Sequence, residues 1–357
     1  MKAIVAMSGG VDSSVAAYLL KKQGFDVTGL SFELWDQRDR KNPNICCSVE
    51  TIEIAKDIAG KIGIEHYTID VRDDFYKYVI ENFCASYISG ATPNPCILCN
   101  KFIKFRFLLQ KAEEFGAGII ATGHYARIEA GKREKDRFLL KKGVDPQKDQ
   151  SYVLYVMTRE ELSRTMFPLG ELTKVETRGI ACKLGLANAI RPESQEICFI
   201  GDGNYVDFIK SFAPDTLEPG PIVNMYGEKI GEHEGIAFYT IGQRKRLGIQ
   251  SKEPHYVADI NLKGNIVKVG CKEDVMKKTF KVKELNWISI NSLLIPMRAH
   301  VKVRSTMKEA PATIIPDENQ EVTVEFEESQ WAPAPGQSAV FYEGDMVIGG
   351  GIISFNG

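Results

Sequence analysis

The sequence lacks any long apolar stretch. Of its 357 residues, 44% are hydrophobic, but no run approaches the roughly 20 consecutive apolar residues that a membrane-spanning helix needs. Met1 leads directly into a short charged strand, without the pattern of a secretory signal peptide. We therefore expect a cytoplasmic protein with no membrane partner.

Cysteine is scarce, and neither sign of charge prevails. Eight cysteines in a chain of this length are too few for a disulfide scaffold, so we expect a reducing compartment in which any special cysteine is catalytic or binds metal. The net charge of −2 excludes a globally basic nucleic-acid binder and restricts any RNA site to a local basic patch. The sequence contains no solenoid repeat and no low-complexity segment, and its length predicts two or three domains.

The N-terminal part of the chain does contain a regular alternation of strand and helix patterns. After the first strand and helix the predicted order is strand 25–35, helix 48–63, strand 64–71, helix 73–90, helix 101–117 and strand 118–128. Such an order is typical of an α/β fold with a doubly wound parallel sheet, which binds its ligand at the carboxyl ends of the strands.

The pattern changes near residue 205 to short strands separated by turns. Beyond about residue 280 their spacing is typical of a small barrel. We predict an α/β domain at 1–204, a small central β-rich domain at 205–278 and a C-terminal β-barrel at 279–357.

The segment SGGVDSS, residues 8–14, interrupts the first apolar strand and leads directly into a helix pattern. A strand-to-helix turn of this kind points backbone N–H groups and the positive end of a helix dipole at the loop, which favours an anion. Gly9 and Gly10 let a ligand approach the backbone closely. An ordinary tight turn is one alternative. A degenerate Walker loop is another, although the lysine of that loop is absent.

Together, the two glycines, Asp12 and the serine pair resemble the SGGxDS loop of the ATP pyrophosphatase family. The resemblance implies a loop that holds the β,γ-pyrophosphate of ATP while the α-phosphate is attacked, and therefore adenylation with pyrophosphate leaving. Gly123 ends a later predicted strand, where a small residue lets a nucleotide lie close. A plain turn glycine is the alternative for that position.

Cys96 and Cys99 follow two prolines in the segment ATPNPCILCNKFIKF. Because the prolines disfavour a helix before about Cys96, we expect Cys99 in the first helical turn, followed by Lys101 and Lys104. A helix N-terminus and nearby cations lower the pKa of a thiol and raise its thiolate fraction. One CxxC alone is a weak zinc signal, since a closed structural site needs four ligands.

The remaining cysteines carry weaker signals. Cys198 lies between a polar segment and a short apolar run in RPESQEICFIGDGNY. Cys46 and Cys47 lie in a polar loop and stay undecided, with an inert role favoured. Since a lone cysteine is usually a small buried hydrophobe, that is our prediction for Cys84, Cys182 and Cys271.

Long segments resemble the bacterial and organellar tRNA-specific 2-thiouridylases. In chain order they are SGGVDSS, TPNPCILCNKFIKF, ATGHYAR, KDQSYVLY, FPLGELTK, SQEICFIG and YTIGQRKRLG. With PGQSAVFYEGD near the end, the similarity covers nearly the whole chain. It implies that ATP, with Mg²⁺, adenylates the wobble uridine of tRNA and that a cysteine persulfide then supplies sulfur as AMP leaves. A cysteine desulfurase or sulfur-relay protein is the implied sulfur donor.

Carried over residue by residue, the resemblance also implies individual roles. Cys99 would be the nucleophile that assists sulfur release, and Cys198 would carry the persulfide. Asp12 is expected near the phosphates or their Mg²⁺ rather than in the core. The implied nucleotide site comprises Ala6, Met7, Ser8, Gly9, Gly10, Val11, Asp12, Ser13, Phe32 and Gly123. The implied tRNA contacts are Asn94, Pro95 and Cys96 at the target base, and Lys148, Asp149, Gln150, Arg304 and Ser305 elsewhere.

Several positions depart from the family's usual pattern. Phe32 replaces methionine or leucine and keeps an apolar stacking role, whereas Ser305 replaces an aromatic residue. Arg106 and Arg246 replace glycine and add charge that could touch phosphate. Cys96 replaces aspartate, which raises an alternative: the thiolates of Cys96, Cys99 and Cys198 could hold a [4Fe–4S] cluster with one iron open to sulfide. The persulfide route, which needs only two of these cysteines, is favoured.

Basic side chains form two clusters: Lys101, Lys104, Arg106 and Lys111, and Arg244, Lys245 and Arg246. RNA contact is favoured for both clusters, and a solvated face for the charged run 132–142.

Three rival functions would each explain part of the sequence. A synthetase that forms amides or lysidine would share the SGGVDSS loop but would not need the cysteines. A sulfur or iron–sulfur carrier would keep the cysteines without the loop, and an RNA-binding paralogue would explain only the barrel.

Overall fold

The apolar residues that open the chain form the central strand of a parallel sheet. The computed structural model describes residues 1–35, 49–131, 137–191, 197–200, 205–214, 217–251 and 253–355. Within them the strands are β1 Lys2–Ala6, β2 Asp26–Glu33, β3 Glu65–Asp70, β4 Ile119–Ala121, β5 Ala126–Ala130, β6 Phe138–Lys142, β7 Thr165–Met166, β8 Gly220–Val223, β9 Lys229–His233, β10 Tyr256–Asn261, β11 Ile266–Gly270, β12 Met276–Trp287, β13 Met297–Lys302, β14 Ala310–Pro316, β15 Val322–Trp331, β16 Ser338–Glu343 and β17 Met346–Ser354.

Helices alternate with the N-terminal strands and become rare later in the chain. The α-helices are α1 Val11–Lys22, α2 Val49–Ile62, α3 Arg72–Phe75, α4 Glu81–Ile88, α5 Pro95–Cys99, α6 Phe105–Glu114, α7 Ser151–Leu154, α8 Arg159–Arg164, α9 Lys174–Lys183 and α10 Tyr205–Phe212. Two π-helical segments, Tyr76–Ile80 and Asn100–Lys104, follow α3 and α5 directly. No helix in the described part of the chain is long and apolar enough to cross a membrane.

The described residues divide into two units. One comprises Met1–Val79, Pro95–Gly203 and Asp345–Ile348, and the other comprises Ile80–Asn94, Asn204–Gly344 and Gly349–Gly357. In the first unit the sheet order is β3-β2-β1-β4-β7, and the neighbouring strands pair in parallel. A parallel sheet of this kind places the loops that follow β1, β2 and β4 at one edge, where a ligand site is expected.

The core of the first unit follows from the apolar spacing of its first helix. Val15, Ala16 and Leu20 of α1 are fully buried and pack with Val5 of β1 and Ala59 of α2. Burial of a valine or leucine side chain stabilises a fold by roughly 1.5–3 kcal/mol. The helix that carries SGGVDSS at its start is therefore firmly packed, so the loop before it rests on a rigid element.

The second unit is rich in antiparallel pairs. Strands β8 to β11 form a four-stranded sheet in the order β10-β11-β8-β9. The later strands run in the order β12-β15-β14-β13-β16-β17, and β12 also pairs with β17, which closes a six-stranded barrel. The predicted fold class, an α/β parallel-sheet domain followed by a β-rich domain and a barrel, is confirmed. The predicted domain boundaries remain predictions.

Three sequence expectations about cysteines differ from the structure. Helix α5 begins at Pro95 because proline is tolerated in the first turn of a helix, so Cys99 is its fifth residue and lies beyond that turn. Cys182 and Cys271 are exposed, whereas Cys84 is buried as predicted. Cys271 directly follows strand β11, which ends at Gly270. Cys46 and Cys47 lie outside the described residues.

Candidate active site

The SGGVDSS loop is held in place by hydrogen bonds within itself. Gly10 caps α1 in an extended conformation, and its carbonyl oxygen accepts from the hydroxyls of Ser13, at 3.1 Å, and Ser14, at 2.9 Å. The backbone N–H of Ser8 donates to Ser13 Oγ at 3.2 Å. Gly9 has a φ of +72°, and a side chain there would collide with the carbonyl oxygen of Thr51. The loop therefore requires glycine at this position.

Asn188 secures the same loop from a distant part of the chain. Its Nδ2 donates to the Gly9 carbonyl oxygen at 2.8 Å and to Ser14 Oγ at 3.1 Å. The side chain is buried, with 2% exposure. Sequence analysis missed this residue, because nothing local in the sequence around 188 indicates a partner in the first loop.

Asp12 forms an ion pair that sequence analysis also missed. The ammonium group of Lys174 lies 2.7 Å and 2.8 Å from the two carboxylate oxygens, and the hydroxyl of Tyr125 donates to the first of them at 2.9 Å. Lys174 is 8% exposed and opens helix α9, where Thr173 forms a capping box with Glu176. The segment FPLGELTK contains this lysine and offered the only sequence signal.

A cavity of about 310 Å³ opens beside the loop. This volume lies at the lower end of the range for small-molecule sites. Predicted nucleotide residues on its wall are Ala6, Met7, Ser8, Asp12, Ser13, Phe32 and Gly123, and the further lining residues are Leu34, Phe75, Val79, Pro95, Cys96, Cys99, Lys104, Thr122, His124, Gln150, Ile197, Cys198 and Phe199. Gly9, Gly10 and Val11 are absent from the wall, since the first two shape the loop and Val11 is buried in the core.

Three thiols share this cavity with the loop. Cys96 and Cys99 come from α5, and Cys198 comes from the segment 197–200. Cys96 is exposed, Cys99 is 5% exposed and Cys198 is half-buried. Residues of the SGGVDSS loop and the three thiols thus line one compartment. Among the described residues, no group of three or more His, Cys, Asp or Glu side chains is arranged to hold a metal ion.

Gly123 allows two backbone segments to touch. A Cβ atom at this position would lie 2.7 Å from the backbone carbon of Asp12 and 2.7 Å from the backbone nitrogen of Ser13. The same residue lines the cavity. The close approach of the β4 loop to the start of α1 therefore requires glycine, whether or not a nucleotide lies against it.

His124, which follows Gly123, is neutral in the folded protein. Burial, together with the positive charge of Lys104, lowers the pKa of His124 to about 3. Its Nδ1 lies 2.7 Å from the hydroxyl of Thr122, and its ring stacks on Phe105. Lys104 is therefore the cationic side chain among the described residues of the cavity wall.

The predicted RNA contacts are dispersed. Pro95, Cys96 and Gln150 line the cavity, and Gln150 Oε1 accepts from the backbone N–H of Tyr125 at 3.0 Å. Asp149 accepts from the backbone N–H of Gly143 and from both the N–H and hydroxyl of Ser151, which starts α7. Its carboxylate therefore orders this turn. Lys148 is half-buried on the same turn and does not line the cavity.

The other predicted RNA contacts, Asn94, Arg304 and Ser305, belong to the second unit. Arg304 Nη2 donates to the backbone carbonyls of Ile241, at 3.0 Å, and Ala332, at 2.8 Å, and Ser305 is exposed. The cluster Arg244, Lys245 and Arg246 is also exposed, and Arg246 has a φ of 63°. In the first unit, Lys111 forms an ion pair with Glu114, which reduces its charge toward a partner.

Family models match three consecutive parts of the chain. A "tRNA methyl transferase HUP domain" covers residues 1–202, a "tRNA methyl transferase PRC-barrel domain" covers 206–271, and an "Aminomethyltransferase beta-barrel domain" covers 277–353. These matches define a HUP-domain protein with two appended β domains. The loop and cavity described above lie in the HUP domain.

Curated relatives narrow this class to one family. tRNA-specific 2-thiouridylase MnmA 2 of Thermoanaerobacter sp. (strain X514) is 49% identical over 98% of this chain and 96% of its own. tRNA-specific 2-thiouridylase MnmA of Clostridium perfringens is 48% identical over 99% of this chain and 98% of its own. The chain belongs to the tRNA-specific 2-thiouridylase family. A solved 4-thiouridine synthetase–RNA complex with bound ATP is 19% identical, with a TM-score of 0.37, and covers 60% of this chain and 51% of that one.

Proposed function

We propose that the protein replaces the O2 oxygen of the wobble uridine of tRNA with sulfur, using ATP to activate the base and a cysteine persulfide to supply the sulfur. The observation that carries this proposal is the single cavity shared by the SGGVDSS loop and the thiols of Cys99 and Cys198. Membership in the 2-thiouridylase family supports it. The enzyme is accordingly a tRNA sulfurtransferase.

The loop is the part suited to ATP phosphates. Backbone N–H groups at the start of α1 and the positive end of its dipole favour an anion at this point. Asp12 on the cavity wall is the carboxylate through which Mg²⁺ would be held together with phosphate oxygens, the usual way in which proteins bind this ion. When bound, Mg²⁺ would offset phosphate charge. Phe32 and Met7 provide apolar surface for the adenine ring.

Adenylation solves the chemical difficulty of the reaction. The C2 carbonyl of uracil resembles a urea and resists substitution, so its oxygen must first become a leaving group. Attack of O2 on the α-phosphate releases pyrophosphate and leaves AMP bonded to the base. Lys104 is placed on the cavity wall, where its charge would stabilise the phosphate oxygens during this step.

Two cysteines are needed for sulfur transfer. The terminal sulfur of a Cys198 persulfide attacks C2, and AMP leaves with its oxygen. The Cys99 thiolate then attacks the Sγ of Cys198, which breaks the sulfur–sulfur bond to the base and leaves the thiocarbonyl. The two cysteines end as a disulfide, and an external dithiol must reduce it before the next cycle. The sulfur donor is a cysteine desulfurase or a relay protein.

An iron–sulfur route is not favoured by the arrangement of the side chains. Three thiolates are the soft ligands that a [4Fe–4S] cluster needs. In the part of the chain that the structure describes, however, Cys96, Cys99 and Cys198 do not form a group that could hold a metal. We therefore assign no step to a cluster.

Base access sets a requirement on the RNA. A wobble uridine must leave its stack to reach a cavity of this size, so a flipped nucleotide is expected. Pro95, Cys96 and Gln150 on the wall are candidates for contact with the flipped base. Asn94 stays proposed for contact with the target base. Lys148, Arg304 and Ser305 are proposed to contact other parts of the tRNA, and Asp149 is proposed to hold the turn that carries Lys148.

One reconstitution tests the function. Purified protein, ATP, Mg²⁺, a cysteine desulfurase with cysteine, a dithiol and an unmodified tRNA transcript should yield 2-thiouridine, detected by mass spectrometry of nucleosides, and one AMP per thiolated base. Formation of a new amide or lysidine would support the rival synthetases instead. Binding of tRNA without any modified base would reduce the protein to an RNA-binding relative.

A further inference from the structure

Two π-helical segments bring aromatic rings together beside the cavity. Tyr78 lies in the segment Tyr76–Ile80 and Phe102 in Asn100–Lys104, and their rings stack with centroids 5.2 Å apart and an interplanar angle of 20°. Segments of π-helix are rare and occur often at functional sites. A second stacked pair, Trp35 and Tyr76, lies at 6.1 Å with an angle of 6°.

Cationic side chains surround the Tyr78–Phe102 pair. The Lys77 ammonium lies 5.4 Å from the centre of the Tyr78 ring, the Arg106 guanidinium 6.0 Å from the same ring, and the Lys101 ammonium 5.2 Å from the centre of the Phe102 ring. All three cations are exposed, and none forms an ion pair with any residue in the described ranges. Their charge is therefore available to an anionic partner.

Residues close in sequence to both aromatic pairs line the cavity. Leu34, Phe75, Val79 and Lys104 line the cavity, and each lies within two residues of a member of the two aromatic pairs. We call the group Lys77, Tyr78, Lys101, Phe102 and Arg106 the aromatic–cationic platform. An RNA strand that placed one nucleotide in the cavity would bring the neighbouring nucleotides close to the platform.

We propose that the platform binds the unpaired nucleotides that flank the target uridine, with bases against its rings and phosphates against its cations. Alternating aromatic and cationic side chains are the chemistry by which proteins hold single-stranded nucleic acid, since every base offers a π-face and every linkage a negative charge. Arg106 over Tyr78 also makes a planar surface on which a base can stack. The inference rests on the proposed function, because a tRNA anticodon loop supplies such nucleotides.

Two platform variants test the proposal. One is Lys77→Gln/Lys101→Gln/Arg106→Gln, and the other is Tyr78→Leu, with Tyr78→Phe as its conservative partner. A charge-matched control replaces three exposed lysines elsewhere in the first unit: Lys22→Gln/Lys56→Gln/Lys183→Gln. Affinity is measured by fluorescence anisotropy at several salt concentrations. The probes are an unmodified tRNA transcript, a single-stranded RNA and a duplex RNA of equal length.

The proposal expects a loss that is specific to unpaired RNA. The triple platform variant should weaken single-stranded RNA and tRNA at least tenfold and should lower the slope of log affinity against log salt by about 2, since each phosphate contact on a single strand contributes about 0.7. Tyr78→Leu should weaken both about fivefold or more, and Tyr78→Phe should restore them. In the thiolation assay most of the loss should fall on KM for tRNA. ATP affinity should not change.

Two other results would contradict the proposal that the platform binds RNA. Equal affinities for the platform variant and the charge-matched control would show that the cluster is a solvated face. Slower loading of Cys198 by the desulfurase, with RNA affinity intact, would instead make it a protein-docking surface. The RNA-binding measurements need no chemistry, so they decide the platform even if wild-type protein yields no 2-thiouridine, the result that would overturn the proposed function itself.

Discussion

The two ends of the cavity are built differently. At the nucleotide end, Gly9, Asp12 and Ser14 are tied to Asn188 and Lys174 by hydrogen bonds and an ion pair that span more than 160 residues of chain. At the cysteine end, Cys99 is the last residue of α5, and Cys198 is followed by Phe199, whose ring meets that of Phe75 edge to face. The SGGVDSS loop is therefore held by polar contacts over long sequence distances, and the segment beside Cys198 is anchored by aromatic packing.

This difference predicts two kinds of variant. Substitutions at the nucleotide end should change stability and activity together, because the same contacts serve both. Substitutions of the thiols should change activity alone. The following predictions test that separation, beginning with the largest expected effect.

Cys198→Ser should lower thiolation at least a thousandfold, because a hydroxyl cannot carry a persulfide. Protein-bound sulfur from radiolabelled cysteine and a desulfurase should disappear as well. Cys99→Ser should still load sulfur on Cys198 but fail to release it to tRNA. For either variant, the free energy of unfolding measured in urea should change by no more than about 1 kcal/mol, which is small for a single substitution.

Cys182→Ser is the matched control, since Cys182 is exposed on α9 and lies outside the cavity. It should load and transfer sulfur like the wild type. Normal sulfur transfer by both Cys198→Ser and Cys99→Ser would refute the two-cysteine mechanism.

Asp12→Ala should lower both adenylation and stability. Its loss leaves the ammonium of Lys174, which is 8% exposed, without its carboxylate, and breaking such a pair costs on the order of 2 kcal/mol or more when one partner is buried. The sequence predicted Asp12 near the phosphates rather than in the core, and its ion pair with Lys174 adds a structural role to that prediction. Asp12→Ala/Lys174→Met should recover much of the stability but none of the activity, as measured by urea unfolding and by ATP-dependent release of pyrophosphate.

The opposite pattern would break the comparison between the two ends. If Asp12→Ala unfolds at the same urea concentration as the wild type, the ion pair between Asp12 and Lys174 does not contribute to stability. If the double variant also recovers pyrophosphate release, Asp12 and Lys174 only support the fold, and the phosphates are held elsewhere.

The sequence predicted those parts of the fold and site whose signals are local. The apolar strand, the two glycines and the helix pattern within residues 2–22 are contiguous, so the strand–loop–helix and its suitability for an anion could be inferred directly. Lys174 and Asn188 could not, because their partners lie more than 160 residues away. By itself, the pair Thr173 and Lys174 indicates only the start of a helix.

Family resemblance supplied what local patterns could not. Nothing in the spacing of Cys99 and Cys198 places them in one cavity, yet both line it. The errors have the same origin: Cys182 and Cys271 were predicted as buried because lone cysteines usually are, but one lies on the exposed face of α9 and the other follows the end of β11. Cys271 instead donates to Asp274 Oδ2 at 3.0 Å, which raises the pKa of its thiol.

Gly123→Ala should destabilise the nucleotide end by about 1–3 kcal/mol. The added methyl group would lie 2.7 Å from the backbone of Asp12 and Ser13, so one of the two segments must move. Gly179→Ala is the matched control, because nothing lies within 4 Å of its Cβ in helix α9, and it should stabilise by up to about 1 kcal/mol. Thermal unfolding measures both, and ATP affinity should fall only for Gly123→Ala. If Gly123→Ala melts at the same temperature as the wild type, the β4 loop and the start of α1 can move apart without loss of stability.

The smallest effect concerns His124 and pH. Burial and Lys104 lower its folded-state pKa to about 3, against an ordinary value of 6.5, so it stays neutral in the folded protein while the unfolded chain binds a proton. The stability that it contributes is complete above pH 6.5 and is lost as the pH falls toward 3, by about 1–2 kcal/mol between pH 7 and pH 5. His124→Asn, which keeps a polar group near Thr122, should flatten this dependence. Urea unfolding of both proteins at pH 5, 6 and 7 measures the difference, and the subtraction removes the other histidines. Identical pH dependences would mean that His124 is protonated in the folded protein and that the cavity wall gains a second positive charge in mild acid.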